Sequence, residues 1–244
     1  MTAADVQYLE LDAPVSTASP AGASPPSATV SALRYLAGGG WLLLLLGTWG
    51  LTRLLCDVAG LPSDCRDLDL ANAMLDLTAL LEKGIVVAAL TRLPTSVLGL
   101  SVRARVGWAS VTVISGPVFS ALGEVPAMQR SLTSDLGWNA ASACYLAVGA
   151  FVLLVVGAHG VSLRRAPHFR LYVASRLGLA AFYAAFLATL GARSRLHFHH
   201  CYVGLWVALL GFDAGRLSLG LIAVGSGIMV QGIGAYDWAN LVNR

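Results

Sequence analysis

The residues best suited to binding a metal lie in one short stretch, His197-Phe198-His199-His200-Cys201. Residues three or four positions apart share one face of a helix, so His197, His200 and Cys201 are predicted to point the same way. Imidazole and thiolate groups at this spacing could supply part of a tetrahedral zinc site. A closed site would need further ligands from elsewhere in the chain. The alternative is that these rings anchor the chain at a membrane interface, where an apolar ring reaches water through its nitrogen.

Haem is the second cofactor that histidines could hold here. Two axial ligands must meet at one depth in a helix bundle. His159 ends one apolar segment, whereas His197–His200 opens a later segment, and alternating segments place the two groups at opposite faces. The histidines therefore require no cofactor, and zinc or haem remains the alternative to a protein that binds none.

Ionisable side chains interrupt two of the apolar segments. Asp76, Glu82 and Lys83 lie in one segment, and Arg176 lies near the start of another. Charged groups at membrane depth are costly and normally face a bundle interior or a watery cavity. Asp76 and Lys83 are seven positions apart and share a helix face. They predict either a polar pathway or pocket, or a helix that is only partly immersed.

Small residues recur at heptad spacing in the last apolar segment. Gly220, Gly227 and Gly234 share one face, and Gln231 lies on that face with them. Small residues allow close approach of helices in lipid, and a glutamine can donate hydrogen bonds across such a contact. The stripe therefore predicts a helix-packing surface.

The last two apolar segments are joined by a short polar link, which predicts that they are antiparallel neighbours. In that arrangement the glycines of the last segment would admit Tyr202 and Trp206 of the segment before it. Gln231 would then lie at the depth of His200 and form a hydrogen bond with it.

Composition identifies the class of protein that must position these groups. The 244 residues are 57% hydrophobic and 12% charged, with a net charge of +3 and a mean hydropathy of +0.71. A soluble domain carries about twice this charged fraction. Water-soluble folds and nucleic-acid partners are therefore excluded. The composition predicts an integral membrane protein whose partners are the lipid bilayer and, in an assembly, other membrane subunits.

Seven apolar segments approach the length of about 20 residues that spans a bilayer. They predict an all-α fold, a polytopic membrane bundle of about seven helices over residues 31–244, after a disordered Ser/Pro/Ala-rich tail over residues 1–30. The segments are Leu33–Leu55, Ala71–Leu93, Val106–Leu122, Gly137–Ala158, Leu171–Leu190, His197–Phe212 and Leu217–Tyr236.

Charge in the connecting loops predicts the orientation, because cytoplasmic loops carry an excess of arginine. One set of alternate loops is rich in arginine, and the other combines arginine with most of the acidic residues that lie in loops. This predicts a protein of a eukaryotic endomembrane or plasma membrane, with its N-terminus on the cytoplasmic side. The acidic loop that holds Cys56 and Cys65 is then extracytoplasmic, where the two thiols either form a disulfide or remain inert.

The last two segments resemble the C-terminal end of a family of uncharacterised eukaryotic multi-pass membrane proteins. The residues that carry the resemblance are Leu196–His200 and Gln231–Tyr236, less than a fifth of the chain. That family has a Leu-x-His-His box followed by a Gly-rich helix ending in Gln-Gly or Asn-Gly, and some fungal members carry an LCCL domain. The resemblance implies a shared architecture and no particular activity.

Two function classes follow from these residues. The first is a non-catalytic membrane component, either a small-solute transporter or channel-like protein or a structural subunit of a membrane assembly. The second is a membrane-embedded metal-dependent enzyme or haem protein that uses the His197–His200 cluster. Its acids at the same face would be Glu124, Asp135 or Asp237.

Overall fold

A computed structural model describes residues 28–63, 65, 67–125, 140–164, 168–189, 195–196, 200–212, 215–235 and 242–243. Most of the N-terminal tail, and its predicted disorder, lies outside these residues. The described helices are α1 (Ala28–Ala59), α2 (Leu70–Leu90), α3 (Leu93–Leu98), α4 (Val102–Gly123), α5 (Ala140–Leu163), α6 (Phe169–Thr189), α7 (His200–Leu209) and α8 (Arg216–Ala235). Two short strands, β1 (Arg195–Leu196) and β2 (Val242–Asn243), pair in antiparallel fashion.

Each of the seven predicted segments contains a helix, and the segment predicted to end at Leu93 ends earlier. α2 ends at Leu90, and Arg92 then adopts a left-handed conformation with a φ of 55°. The helix α3 begins immediately afterwards, with Pro94 in its first turn. Proline is favoured there because the first-turn amide has no partner within the helix. The sequence segments did not predict α3, which is shorter than any spanning segment.

The central helix of the bundle is α8, which contacts α1, α2, α4 and α7. Most of its residues are buried. α7 lies beside α8 and runs antiparallel to it, as predicted. Gly204 contacts Met229, whereas Gly211, later in α7's direction, contacts Ile222, which is earlier in α8. The core of the molecule is therefore built around its last long helix.

Most exposed charges of the described residues separate onto the two ends of the bundle, and the exposed Glu82 in the middle of α2 is an exception. The first end, here called the basic end, carries exposed arginines in the first turns of helices or just after helix ends: Arg92, Arg103, Arg105, Arg164, Arg170 and Arg216. The opposite end, called the acidic end, carries Asp57, Asp67, Asp69 and Glu124. Within the described residues, no exposed acidic side chain lies at the basic end. Alternate connections therefore meet at the same end, as the sequence predicts for helices that run up and down.

The flanks between these ends are strongly apolar. Large hydrophobic side chains on these flanks that are about two-thirds exposed or more include Leu36, Leu43, Phe151 and Leu154. Among the described residues, two helices are long and apolar enough to cross a bilayer by length and composition: Tyr35–Ala59 and Arg216–Ala235. The first is mostly exposed and the second mostly buried. The helical bundle is confirmed, whereas seven spans remain a prediction.

Candidate functional site

A buried ion pair joins α1 to α2 in the half of the bundle nearer the acidic end. The guanidinium of Arg53 lies 3.3 Å from a carboxylate oxygen of Asp76, whose side chain is 0% exposed. The indole N–H of Trp49 donates to the same oxygen at 3.1 Å. A buried carboxylate is tolerated only when such donors compensate for the lost water. Asp76 is thus held by two side chains one turn apart on α1.

Arg53 was not among the residues singled out in the sequence. The sequence did contain an indication of its role, because Arg53 is a charged residue inside the predicted span Leu33–Leu55. A charge in such a segment requires a partner of opposite sign at the same depth. The carboxylate of Asp76 is that partner.

Lys83 lies two turns beyond Asp76 on the same face of α2, as predicted. The Lys83 side chain is buried, and its Nζ lies 5.6 Å from the ring centroid of Tyr202 on α7. Its Nζ also lies 3.9 Å from the carboxylate of the exposed Glu82. Lys83 therefore belongs to the contact between α2 and α7, where a cation over an aromatic face is favourable.

Arg176 on α6 binds the ends of two other helices. It donates hydrogen bonds to the carbonyl oxygens of Leu209 at 2.8 Å, Leu90 at 2.9 Å and Gly211 at 2.9 Å. These carbonyls lie at the C-terminal ends of α2 and α7, where the last carbonyls have no partner within the helix. A cation is favoured there because helix C-termini carry partial negative charge. Arg176 therefore fastens three helices together at the basic end.

Two more side chains reach the same turn from α5 and α6. The Nε2 atom of His159 lies 2.9 Å from the carbonyl oxygen of Leu210, and the hydroxyl of Tyr172 donates to that oxygen at 2.9 Å. The Arg176 guanidinium lies 4.5 Å from the Tyr172 ring centroid and 5.4 Å from that of Phe212. We call Arg176, His159, Tyr172 and Phe212 the α7 C-terminal cluster. Its bonds show that these groups hold the end of α7.

Haem ligation by His159 together with His200 does not fit this geometry. His159 contacts Leu210, just beyond the end of α7, whereas His200 is its first residue. The 10 residues of α7 rise about 15 Å. The two histidines therefore lie at opposite ends of α7, as the alternation of segments predicted.

The predicted metal ligands are only partly described. His197, His199 and the side chain of His200 lie outside the described residues, while Cys201 is fully buried in the first turn of α7. Within the part of the chain that the structure describes, no three His, Cys, Asp or Glu side chains come together as metal ligands. The zinc site stays a prediction. Of the acids assigned to it, Glu124 accepts a hydrogen bond from the Ser63 amide at 2.7 Å, and the other two lie outside the described residues.

The heptad glycines contact different helices from the one predicted. A Cβ atom at Gly227 would collide with Thr112 and Ser115 of α4, and one at Gly234 would lie 3.1 Å from Thr52 of α1. At Gly220 a Cβ atom would meet no described atom within 4 Å, so the assignment of Gly220 to helix packing stays a prediction.

The surface that packs against α7 is one helix face away from the heptad stripe. A Cβ atom at Gly225 would lie 2.7 Å from the Gly204 oxygen, and one at Gly204 would lie 2.6 Å from the Gly225 oxygen. Glycine therefore meets glycine between α7 and α8. The atoms nearest to the heptad glycines Gly227 and Gly234 belong to α4 and α1, and not to Tyr202 or Trp206 as predicted. Close contact of two backbones leaves no room for a ring.

Gln231 is fully buried in α8 beside α4. Its Cβ atom lies 3.3 Å from the position that a Cβ atom would take at Gly116, next to Pro117. Neither the amide nitrogen nor the amide oxygen of Gln231 has a hydrogen-bond partner among the described residues, and the same is true of the Ser226 hydroxyl. The predicted bond from Gln231 to His200 falls on a side chain outside the described residues.

At the acidic end, Cys56 and Cys65 are joined by a disulfide bond. The bond closes the loop between α1 and α2, and the Ser63 amide of this loop donates to Glu124 at the end of α4. The loop is thereby fixed over the ends of three helices.

Comparison with known proteins gives no relative for this arrangement. No protein-family model, no curated protein and no solved structure matches the chain. The resemblance of its last two helices to the multi-pass family stays a prediction.

Proposed function

We propose that this chain is a multi-pass integral membrane protein with a non-catalytic, structural role in its membrane. The observation that carries the proposal is the band of exposed apolar side chains between a basic and an acidic end. A soluble protein rarely exposes a contiguous apolar surface larger than a few hundred Å². In a bilayer the same surface contacts lipid tails, and the charges of the two ends lie at the headgroups. The exposed Glu82, which lies between the ends, has the Lys83 ammonium 3.9 Å away as its partner.

Helix dimensions agree with this proposal. The helices α2, α4, α5, α6 and α8 have 20 to 24 residues, which corresponds to about 30–36 Å. The hydrocarbon core of a bilayer is about 30 Å thick. The proposal adds α1, which is longer, and α7, which is shorter, to make seven spans.

The interior polar groups support a structural role because their bonds connect helices. Arg53 and Trp49 tie α1 to α2 through Asp76, and Arg176 ties α6 to α2 and α7. A catalytic or transport group must instead present donors or acceptors to a substrate. We therefore assign Asp76 and Arg176 to helix assembly.

Membrane extraction tests whether the chain is integral. We expect the expressed protein to stay in the membrane pellet after alkaline carbonate treatment and to enter solution only with detergent. Release by carbonate would contradict the proposal, because only peripheral proteins leave the bilayer under those conditions.

A small-solute pathway is the second candidate function, and Gln231 favours it. Its amide and the Ser226 hydroxyl are buried without described partners. Gln231 also lies beside Gly116 and Pro117 within α4, where proline removes a backbone hydrogen bond. Gln231→Leu separates the two roles. A structural role predicts unchanged or higher stability and no change in water or ion flux in proteoliposomes, whereas a pathway predicts a flux that the substitution abolishes.

The metalloenzyme alternative is tested by metal analysis of the purified protein. Stoichiometric zinc or iron that is lost in His200→Ala would replace the structural proposal with the metal-dependent one. A folded protein without metal, and with the same melting temperature in His200→Ala, would support a structural role.

A further inference from the structure

An apolar groove of about 480 Å³ opens on the flank of the bundle near the basic end. Its walls come from α1, α3 and the first turns of α4, and its lining includes Leu36, Trp41, Leu44, Val97, Arg105 and Trp108. Apart from Arg105, these six side chains are apolar or aromatic. Within the proposed membrane orientation, the groove faces lipid in the leaflet at the basic end.

The two tryptophans present apolar ring faces to the groove because their polar atoms are already bonded. The indole N–H of Trp41 donates to the Gly84 oxygen at 3.0 Å, and that of Trp108 donates to the Leu219 oxygen at 3.0 Å. The two ring centroids lie 5.6 Å apart. These bonds fix the rings as a preformed apolar wall that fits a hydrocarbon chain.

Arg105 supplies the charge at this groove. Its Nε donates to the Leu100 oxygen at 2.9 Å and its Nη2 to the Leu98 oxygen at 3.4 Å. Arginine has five N–H donors, so three remain for another acceptor, and the side chain is exposed. The two backbone bonds hold the guanidinium in place, which suits it to bind a phosphate.

Electrostatics at this helix end favours an anion. Arg103 and Arg105 lie in the first turns of α4, which begins at Val102. The N-terminus of a helix carries partial positive charge, so the two arginine charges are unfavourable at this position. A nearby anion would offset this repulsion. An anionic headgroup would remove this repulsion.

The depth of the groove matches one leaflet. Its α1 wall runs from Leu33 to Leu44, a rise of about 16 Å. Half of the hydrocarbon core is about 15 Å. A ligand with a charged head at Arg105 and one acyl chain along α1 would therefore fill it.

We propose that this groove binds an anionic phospholipid, with one acyl chain between α1 and α4 and the phosphate at Arg105. The inference rests on the proposed membrane function. A second groove, between α1 and α2, has a similar volume of about 470 Å³ but a lining of glycine and leucine only. That groove has no charge to select a headgroup and serves as an internal comparison.

Native mass spectrometry of the full-length protein, titrated in detergent with phosphatidylserine or phosphatidylcholine, tests the proposal. We expect the wild type to bind phosphatidylserine more tightly. Arg105→Gln should weaken that binding about fivefold, as expected for one arginine near an anionic headgroup. The control is Arg164→Gln, which removes an exposed arginine from the same end at a position that does not line the groove.

Two further variants separate lipid binding from folding. Arg105→Lys keeps the charge but loses the fixed guanidinium, so it should retain part of the preference for phosphatidylserine. Ala37→Leu should block the groove and weaken both lipids, whereas Gly39→Leu in the second groove should not change the phosphatidylserine preference.

Equal phosphatidylserine affinities for Arg105→Gln and Arg164→Gln would overturn the site. So would unchanged binding in Ala37→Leu, which is also the result expected if the chain's own N-terminal segment occupied the groove. Either result in a protein that resists carbonate extraction refutes the lipid site alone. Release by carbonate refutes the membrane function instead.

Discussion

The helices α8 and α5 are both apolar and both contain glycine, yet they take opposite places in the molecule. In α8, a Cβ atom at Gly225 or Gly227 would collide with the backbone of α7 or α4. In α5, a Cβ atom at Gly157 or Gly160 would meet no described atom within 4 Å. The side chain of Phe151 in α5 is 66% exposed, whereas most of α8 is buried. Glycine content alone therefore does not identify a packing helix.

The two regions are also held by different interactions. α8 is held along its length by close contact of backbones, which depends on dispersion at short range. α5 and α6 are joined to α7 by His159, Tyr172 and Arg176, all at the basic end. A close-packed centre and a peripheral pair whose described bonds to α7 lie at the basic end should respond differently to substitution.

The largest effect is expected for Gly225→Ala. The added methyl group would overlap Ala208 and lie 2.7 Å from the Gly204 oxygen, and backbone atoms cannot move aside as a flexible side chain can. Overpacking of this kind costs about 3 kcal/mol of unfolding free energy. Thermal melting of the detergent-solubilised protein should show a large fall.

The matched control for this variant is Gly157→Ala in α5. Alanine is favoured over glycine within a helix by about 1 kcal/mol, and the new methyl group meets no described atom within 4 Å. We expect the melting temperature to stay the same or rise. Equal losses in the two variants would remove the distinction between centre and periphery.

A smaller effect is expected for Arg176→Gln, about 2 kcal/mol, because hydrogen bonds from a charged donor to buried carbonyls are lost. Amide hydrogen exchange should increase in the Leu210–Phe212 turn and in α5 and α6, while α8 around Gly225 stays protected. The exposed Arg170 on the same helix provides the control as Arg170→Gln. Loss of protection throughout α8 would mean that the two regions unfold together.

The smallest effects are expected at Gly234 and Gly220, two of the three glycines of the heptad stripe. Gly234→Ala places a methyl group 3.1 Å from the Thr52 side chain, which can shift by a few tenths of an ångström, so a loss of about 1 kcal/mol is expected. Gly220→Ala should cause no loss of melting temperature. A larger loss at Gly220 than at Gly234 would show that the heptad face packs as the sequence first indicated.

Hydropathy predicted the helices well, because an apolar segment long enough to cross a bilayer must form its backbone hydrogen bonds within a helix. It missed α3, since six residues after a left-handed Arg92 leave no periodic signal. The spacing of Asp76 and Lys83 predicted that they share one face of α2, but it did not predict that Arg53 is the partner of Asp76. The partner lies on another helix, and the relative rotation of two helices is set by packing rather than by either sequence segment alone.

Glycine spacing shows the same limit. Gly220, Gly227 and Gly234 repeat every seven residues, but α8 is buried on nearly all sides and offers several candidate faces. The contact with α7 uses Gly225 because Gly204 stands opposite it. Such pairing of two small residues depends on the register between helices, which a single sequence does not specify.

The central claim is that the basic and acidic ends lie on opposite sides of a membrane. Single cysteines tested with an impermeant maleimide on sealed vesicles measure this directly, in a background where Cys56, Cys65, Cys144 and Cys201 are replaced. Asp67→Cys and Val125→Cys report the acidic end, and Arg103→Cys, Arg164→Cys and Gly215→Cys report the basic end. We predict that one whole set labels in intact vesicles and that the other labels only after permeabilisation. Labelling of members of both sets from the same side would contradict the account.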